Sequence, residues 1–343
     1  MNIHTARSAA AEWVLQEASR QPDFLAAYYS GSTAVLPEDA LLPPSSDVDI
    51  IVVTVSPAPP LKLGKFRYND VLLEVTHLGW DQLYPVQKTL SSYHLAHSLR
   101  INTIIADPSG QLLKLQQEVE RCFARPDQIR LRVQSVLGRI RSGLDSIDLN
   151  APLHNQIMAW LFATGVTTHA ILVAALCNPT IRLRYMAARD VLSRHGLNDY
   201  YEQLLRLLGC AEMSPQRAFY HLDNMTSAFD AAAAAAVTPF FFSSDVTAAA
   251  RPIAVDGSRQ LIRDGNHREA VFWMTATFAR CHHILAADAP ESVREAHLPA
   301  FRELIADLGI VSLPESLLDR AEGVRRSLPQ LAEITEHILS AGR

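Results

Sequence analysis

Lysine is nearly missing from this sequence: four residues, against 27 arginines, in a chain of 343. That imbalance fits a GC-rich bacterial source and excludes no activity. Cysteine is as sparse. Cys122, Cys177, Cys210 and Cys281 stand far apart with no Cys-x-x-Cys spacing. Neither a disulfide framework nor a zinc site is therefore expected, and a reducing interior is the natural home. A basic excess is missing too. The net charge is −5, and residues 1–150 carry 14 basic and 16 acidic side chains, which leaves 17 and 20 for the rest. A dedicated polynucleotide binder would show a basic face, so nucleic acid is not an expected partner. The opening Met1-Asn2-Ile3-His4 lacks the charged start and apolar core of a signal peptide, and the expected location is cytoplasmic.

One long run lacks charge altogether. Ile157 to Cys177 carries none over 21 residues, enough to span a bilayer. Thr164, Gly165, Thr167, Thr168 and His169 interrupt it and basic flanks are absent, so it reads as a buried core helix, with no membrane partner expected. What is present is an ordinary globular composition, 48% hydrophobic and 20% charged, long enough for two domains.

Residues 5–20 read as an amphipathic helix, with Ala10, Trp13, Val14 and Glu17 at helical spacing. Phe24 to Tyr29 reads as a short strand entering the turn Ser30-Gly31-Ser32-Thr33. A connector holding Pro37, Pro43 and Pro44 follows, and then Ser46-Asp47-Val48-Asp49 opens the β-branched run Ile50 to Val53, which reads as a buried strand. Beyond a second proline cluster (Pro57, Pro59, Pro60), Lys62–Tyr68 and Val71–Leu78 make two strand-like arms across Asn69-Asp70, a hairpin turn without the preferred glycine. Ile101–Ala106 is a further strand. From Gln111 the pattern becomes helical: 111–124, 127–147, 152–177, 180–195, 199–209, 214–236, 266–287, 291–308 and two shorter helices to the end. Phe240-Phe241-Phe242 reads as core packing. The expected class is α+β, with a small mixed-sheet domain over 1–110 and an all-helical domain over 111–343.

The chemistry concentrates at the two aspartates. Strand side chains alternate faces, so Asp47 and Asp49 point the same way, about 7 Å apart along the backbone. Like charges that close repel, and a cation between them is the usual remedy. Mg2+, held by one or two carboxylates and phosphate oxygens, fits that description. Gly31 lets the backbone turn tightly, and amides and the Ser32 hydroxyl there suit phosphate oxygens. In the strand Val71–Leu78, Leu72, Glu74 and Thr76 share one face and Val71, Leu73 and Val75 the other. An acid in so apolar a strand is anomalous. If that strand lies beside Val48–Val53, Glu74 joins the aspartates.

Gly31-Ser32, Asp47-Val48-Asp49 ahead of a hydrophobic strand, and Glu74 on a later strand together resemble the polymerase-β-type nucleotidyltransferase superfamily. The closest pattern is that of its antibiotic-type and minimal members, and the resemblance covers about the first 110 residues. Ala34 and Val35 stand where those members usually carry a basic residue and a second glycine. The resemblance implies a Mg2+-dependent transfer of a nucleoside monophosphate from a nucleoside triphosphate, ATP first, to an acceptor hydroxyl, with one metal ion or two. It implies Asp47, Asp49 and Glu74 as catalytic and metal-binding residues, Glu74 being either a third ligand or the general base. Gly31, Ser32, Thr33 and Ser46 would contact the nucleotide. A small-molecule acceptor is favoured; the alternatives are a protein or tRNA acceptor, or a non-catalytic nucleotide-binding module. The sequence leaves oligomeric state open.

Other residues offer less. Arg121, Arg125, Arg130, Arg132, Arg139 and Arg141 form the most basic stretch, and Arg132 and Arg139, seven apart, share a helix face read as solvated. Cys281-His282-His283 lacks a matched partner for a zinc site. Asn266-His267-Arg268-Glu269 reads as a helix start, with His267 structural. His94 and His97 follow the strand region with nothing to assign them.

Overall fold

The computed structural model describes residues 1–57 and 61–341; Pro59 and Pro60 of the second proline cluster lie outside them. The chain is α+β, a five-stranded mixed sheet followed by helices. Contacts divide it into two units. The first is Met1–Arg132 together with Phe240–Ile253, and the second is Val133–Pro239 together with Ala254–Arg343.

In the first unit, α1 (Ile3–Gln16) starts at Asn2, whose side chain accepts from the Thr5 amide at 2.9 Å and so satisfies a donor that a helix start leaves open. The strands are β1 (Phe24–Ser30), β2 (Val48–Thr54), β3 (Gly64–Tyr68) and β4 (Val71–Gly79). After them come α2 (Trp80–Leu83), α3 (Val86–Ser91), β5 (Ile104–Ala106), α4 (Gln111–Phe123) and α5 (Pro126–Asp145). The sheet order is β3-β4-β2-β1-β5, with β2 and β4 parallel and the other pairs antiparallel.

Alternation along the strands sorts the core into two layers. Val48, Ile50 and Val52 of β2, with Val71, Leu73 and Val75 of β4, pack against Ala6, Ala10, Trp13 and Val14 of α1. Val53 and Tyr28 face the other way, with Ile51 and Leu78 packed alongside, onto Leu112, Leu115 and Val119 of α4. Each fully buried aliphatic side chain contributes about 1.5–3 kcal/mol, so both faces of β2 are apolar beyond Asp49. The border expected at 110/111 falls just before α4, and the contact border runs through α5.

The second unit holds α6 (Leu153–Ala174), α7 (Arg184–Arg194), α8 (Asn198–Leu208), α9 (Pro215–Ala235), α10 (Gly257–Arg263), α11 (His267–Asp288), α12 (Glu291–Asp307) and α13 (Glu315–Ala341). The uncharged α6 has 22 residues and an 18-residue window of mean hydropathy 1.7, long and apolar enough to cross a membrane, and 83% of that window is buried inside the protein. It packs on α7, α11 and α13, the core role expected of it. Where two short final helices were expected there is one of 27 residues, with Pro329 inside it. At the start of α11, Glu269 is buried and accepts from Tyr201 Oη at 2.5 Å and Arg189 Nη1 at 2.8 Å.

Candidate functional site

Strand register builds the site. Glu74 of β4 pairs with Asp49 of β2 on one side and with Lys65 of β3 on the other, and Asp49 pairs with Ser30 of β1. Register partners share a face, so Lys65, Glu74, Asp49 and Ser30 form one row across four strands. The Ser30 hydroxyl meets that of Ser98 at 2.8 Å. Asp47 stands two residues before Asp49, ahead of β2, and returns to the same side. Carboxylate oxygens of Asp47, Asp49 and Glu74 lie within 4.8 Å of one another, the only acid, histidine or cysteine group among the described residues close enough to hold a metal ion. Glu74 thus joins the aspartates by way of the parallel β2–β4 pairing.

Two lysines and a fourth acid complete the cluster. Lys62 Nζ donates to Glu74 Oε1 and Lys65 Nζ to Glu74 Oε2. Lys65 also reaches Asp245 Oδ1 at 2.7 Å and Asp47 Oδ2 at 3.3 Å, and Lys62 lies 3.9 Å from Asp245 Oδ2. Asp245 belongs to Phe240–Ile253, the segment that returns to the first unit. There a short 3-10 turn, Ser243–Asp245, packs against β3. Gly64 gives it room: it adopts φ +77, and a Cβ would strike the Ser244 side chain. Phe240-Phe241-Phe242, expected in the core, sits in this segment instead. Phe240 and Phe242 stack at 5.6 Å, while Phe241 is 61% exposed with the Lys62 ammonium 5.3 Å from its ring centre.

Charge is unevenly satisfied. Burial, then Asp47 and Glu74, push the Asp49 carboxyl well above the usual carboxylate range, against the weaker pull of the lysines. Asp47 is raised by burial and by Glu74, with Lys65 opposing. Burial would raise Glu74, but Lys65 and Lys62 outweigh it and hold it below its ordinary value. Burial would likewise pull the Lys65 ammonium down, but Asp245, Asp47 and Glu74 together raise it. Four carboxylates against two ammoniums leave a formal surplus of two negative charges, and among the described residues no ammonium pairs with Asp49.

The Gly-Ser turn abuts this surplus. Gly31 adopts φ +67, and a Cβ there would run into Asp49 Oδ2, so the turn needs glycine twice over. Ser32 is exposed at the start of the 3-10 turn Thr33–Val35. Thr33 is buried and its Oγ1 has no hydrogen-bond partner. Its carbonyl accepts from Arg7 Nε at 3.1 Å and Nη2 at 2.5 Å, and the Leu36 carbonyl accepts from Arg7 Nη2 at 2.8 Å, so Arg7 of α1 fixes the turn. Ser46 is half-buried one residue before Asp47, its amide bonded to the Pro43 carbonyl at 3.0 Å.

Lys62, Lys65, Asp245 and Arg7 were not singled out from the sequence. For the lysines a signal existed: two of only four in the chain stand three apart, just ahead of the strand that carries Glu74. Asp245 gave none, since only the folded chain brings it to β3. Arg132, read as solvated, is buried, donating to the carbonyls of Leu90 at 3.2 Å and Phe123 at 2.6 Å. His97 is buried edge-on to Phe123, and burial with Arg100 and Arg132 takes it down to about 3.

The donor set fits a hard divalent ion. It is all oxygen, its surplus of two charges matches one such ion, and the repulsion raising Asp49 is what an ion would relieve. Asp47 and Asp49 suit it directly, whereas both Glu74 oxygens are engaged by lysines. No family model and no curated protein matches the chain. Among solved structures, a nucleotidyltransferase-like protein from Exiguobacterium sibiricum 255-15 aligns over 96% of this chain and 89% of that one. The identity is 11% and the TM-score 0.28, too loose a likeness to carry an argument about this chain.

Proposed function

We propose that the site is the centre of a Mg2+-dependent nucleotidyltransferase, moving a nucleoside monophosphate from a nucleoside triphosphate, ATP first, to a hydroxyl of a small-molecule acceptor. The observation that carries this reading is the carboxylate cluster, Asp47, Asp49 and Glu74 within 4.8 Å, with the Gly31 turn pressed on Asp49. Asp47 and Asp49 would hold the divalent ion. When bound, that ion neutralises charge on the phosphates and the departing pyrophosphate. Amides at Gly31 and the exposed Ser32 hydroxyl would receive phosphate oxygens, and Arg7 keeps that turn in place. The acceptor oxygen bonds to the α-phosphorus as the bond to pyrophosphate breaks. Glu74 either takes the hydroxyl proton or adds a third oxygen to the ion.

The test is metal-dependent transfer of labelled nucleotide from each triphosphate to candidate acceptors. Asp47→Ala and Asp49→Ala should abolish it. Asp49→Asn should also raise thermal stability, by about 1 kcal/mol, because it removes a buried charge from a repelling group. Transfer retained by folded alanine variants would sink the reading. The lysines on both Glu74 oxygens favour a second reading, a non-catalytic nucleotide-binding module. Metal-dependent triphosphate binding with no transfer to any small, protein or RNA acceptor would select it.

A further inference from the structure

Two of the chain's four lysines are spent on one glutamate. Lys62 and Lys65 take one Glu74 oxygen each, and side-chain exposure is 10% for Lys62, 8% for Lys65 and 16% for Glu74. Lys65 is held as well by Asp245, itself 10% exposed. Removing this many charges from water is a poor way to stabilise a fold, because desolvation offsets most of the attraction. The arrangement also fails to neutralise the site. Among the described residues no ion pair reaches Asp49, while Glu74, the acid best placed to assist it, is fully engaged by ammoniums.

We propose that Lys62 and Lys65 are phosphate-binding residues that guard Glu74 until a nucleotide arrives. The proposal rests on the nucleotidyltransferase reading. An ammonium is a point charge with three donors on a flexible stem, so it can pivot between acceptors without losing its pairing. A triphosphate presents more negative charge than one carboxylate and would draw both lysines from Glu74. Asp245 stays behind as the anchor that keeps Lys65 in reach, which makes Asp245 a positioning residue. The exchange frees both Glu74 oxygens for the ion or for the acceptor proton, so the complete carboxylate set forms only when a nucleotide is present. Ion and nucleotide binding are then coupled, each favouring the other.

Calorimetric titration of the full-length protein with Mn2+ alone, and with α,β-methylene-ATP in the presence of Mg2+, separates the effects. In Lys65→Gln and in Lys62→Gln, Mn2+ alone should bind about tenfold more tightly because one Glu74 oxygen is released to the ion while the remaining lysine holds the other. The analogue should bind about tenfold more weakly because a charged hydrogen bond to phosphate is lost. Lys65→Arg should keep analogue binding, and Asp245→Asn should weaken it. A purely structural role would move both affinities of the glutamine variants the same way; that result, or no change in either, overturns the proposal. Should Lys65→Gln fail to fold, Lys62→Gln carries the same opposite-sign test. A wild type that binds Mn2+ but no analogue overturns the nucleotidyltransferase reading and the phosphate role with it, while the Mn2+ titrations still report on Glu74.

Discussion

Gly31 and Gly110 share a backbone conformation, both at φ +67, and differ in what surrounds them. A Cβ at Gly110 would meet nothing within 4 Å, whereas one at Gly31 would collide with the Asp49 carboxylate. Gly110→Ala should therefore show the left-handed strain alone, about 1–2 kcal/mol. Gly31→Ala should cost more and also lower divalent-ion affinity, because Asp49 must turn aside. Urea denaturation and Mn2+ titration of the pair check this, and equal losses in both variants would contradict the crowding argument. At this scale the sequence was most legible where chemistry is local. Asp47, Asp49 and Gly31 stand close together in sequence, and Glu74 stood out as an acid in an apolar strand. Arg132 is buried rather than solvated because folding brings the Leu90 and Phe123 carbonyls to its guanidinium, and because the arginine stem tolerates burial.

Hairpin β3–β4 carries Lys65 and Glu74 on facing residues, so its register sets the site. The register is fixed by a two-residue turn in which Asn69 and Asp70 adopt φ 46 and 63. Two positive φ values belong to the turn that matches strand twist and favours Asn-Gly. Asp70→Gly should thus stabilise the protein by a few tenths to about 1 kcal/mol. Asp70→Val, a β-branched residue forced to positive φ, should cost about 1–2 kcal/mol. Denaturation midpoints of the two variants should fall on opposite sides of the wild type. Elements like this were readable because their signals are short-range: β-branched runs, turn residues, and the apolar stripe of α1. The final helix was not. Pro329 lacks an amide and removes one helical hydrogen bond, yet Val324, Leu328, Leu331 and Ile338 remain buried on both sides of it. Packing along the stripe outweighs the lost bond.

At the scale of the molecule, the chain leaves the first unit at Arg132 and returns for Phe240–Ile253. Asp245 thereby meets Lys65, 180 residues away in sequence. Such long-range pairing leaves no periodicity to read, which is why the sequence showed three acids and the structure adds a fourth. Both units nonetheless share a physical liability, buried neutral histidines. In the first, His97 is taken down to about 3; in the second, burial takes His154 and His282 down to about 4, with neighbouring histidines adding to the shift. His154 lies edge-on to His283 at 5.1 Å and His282 stacks on Phe301 at 4.6 Å, and among the described residues no carboxylate acts on either ring. Their folded values lie below the ordinary 6.5, so the unfolded chain binds more protons between about pH 6.5 and 4. The stability these histidines contribute is then complete above 6.5 and falls as pH drops through that window. Each kcal/mol lost lowers Tm by about 2–4 °C in a unit of this size, so Tm should fall by several degrees from about pH 7 to pH 5. His282→Asn, which removes one titrating group, should flatten that slope even if it lowers Tm at pH 7. An unchanged slope in the variant would mean that the acid sensitivity arises elsewhere.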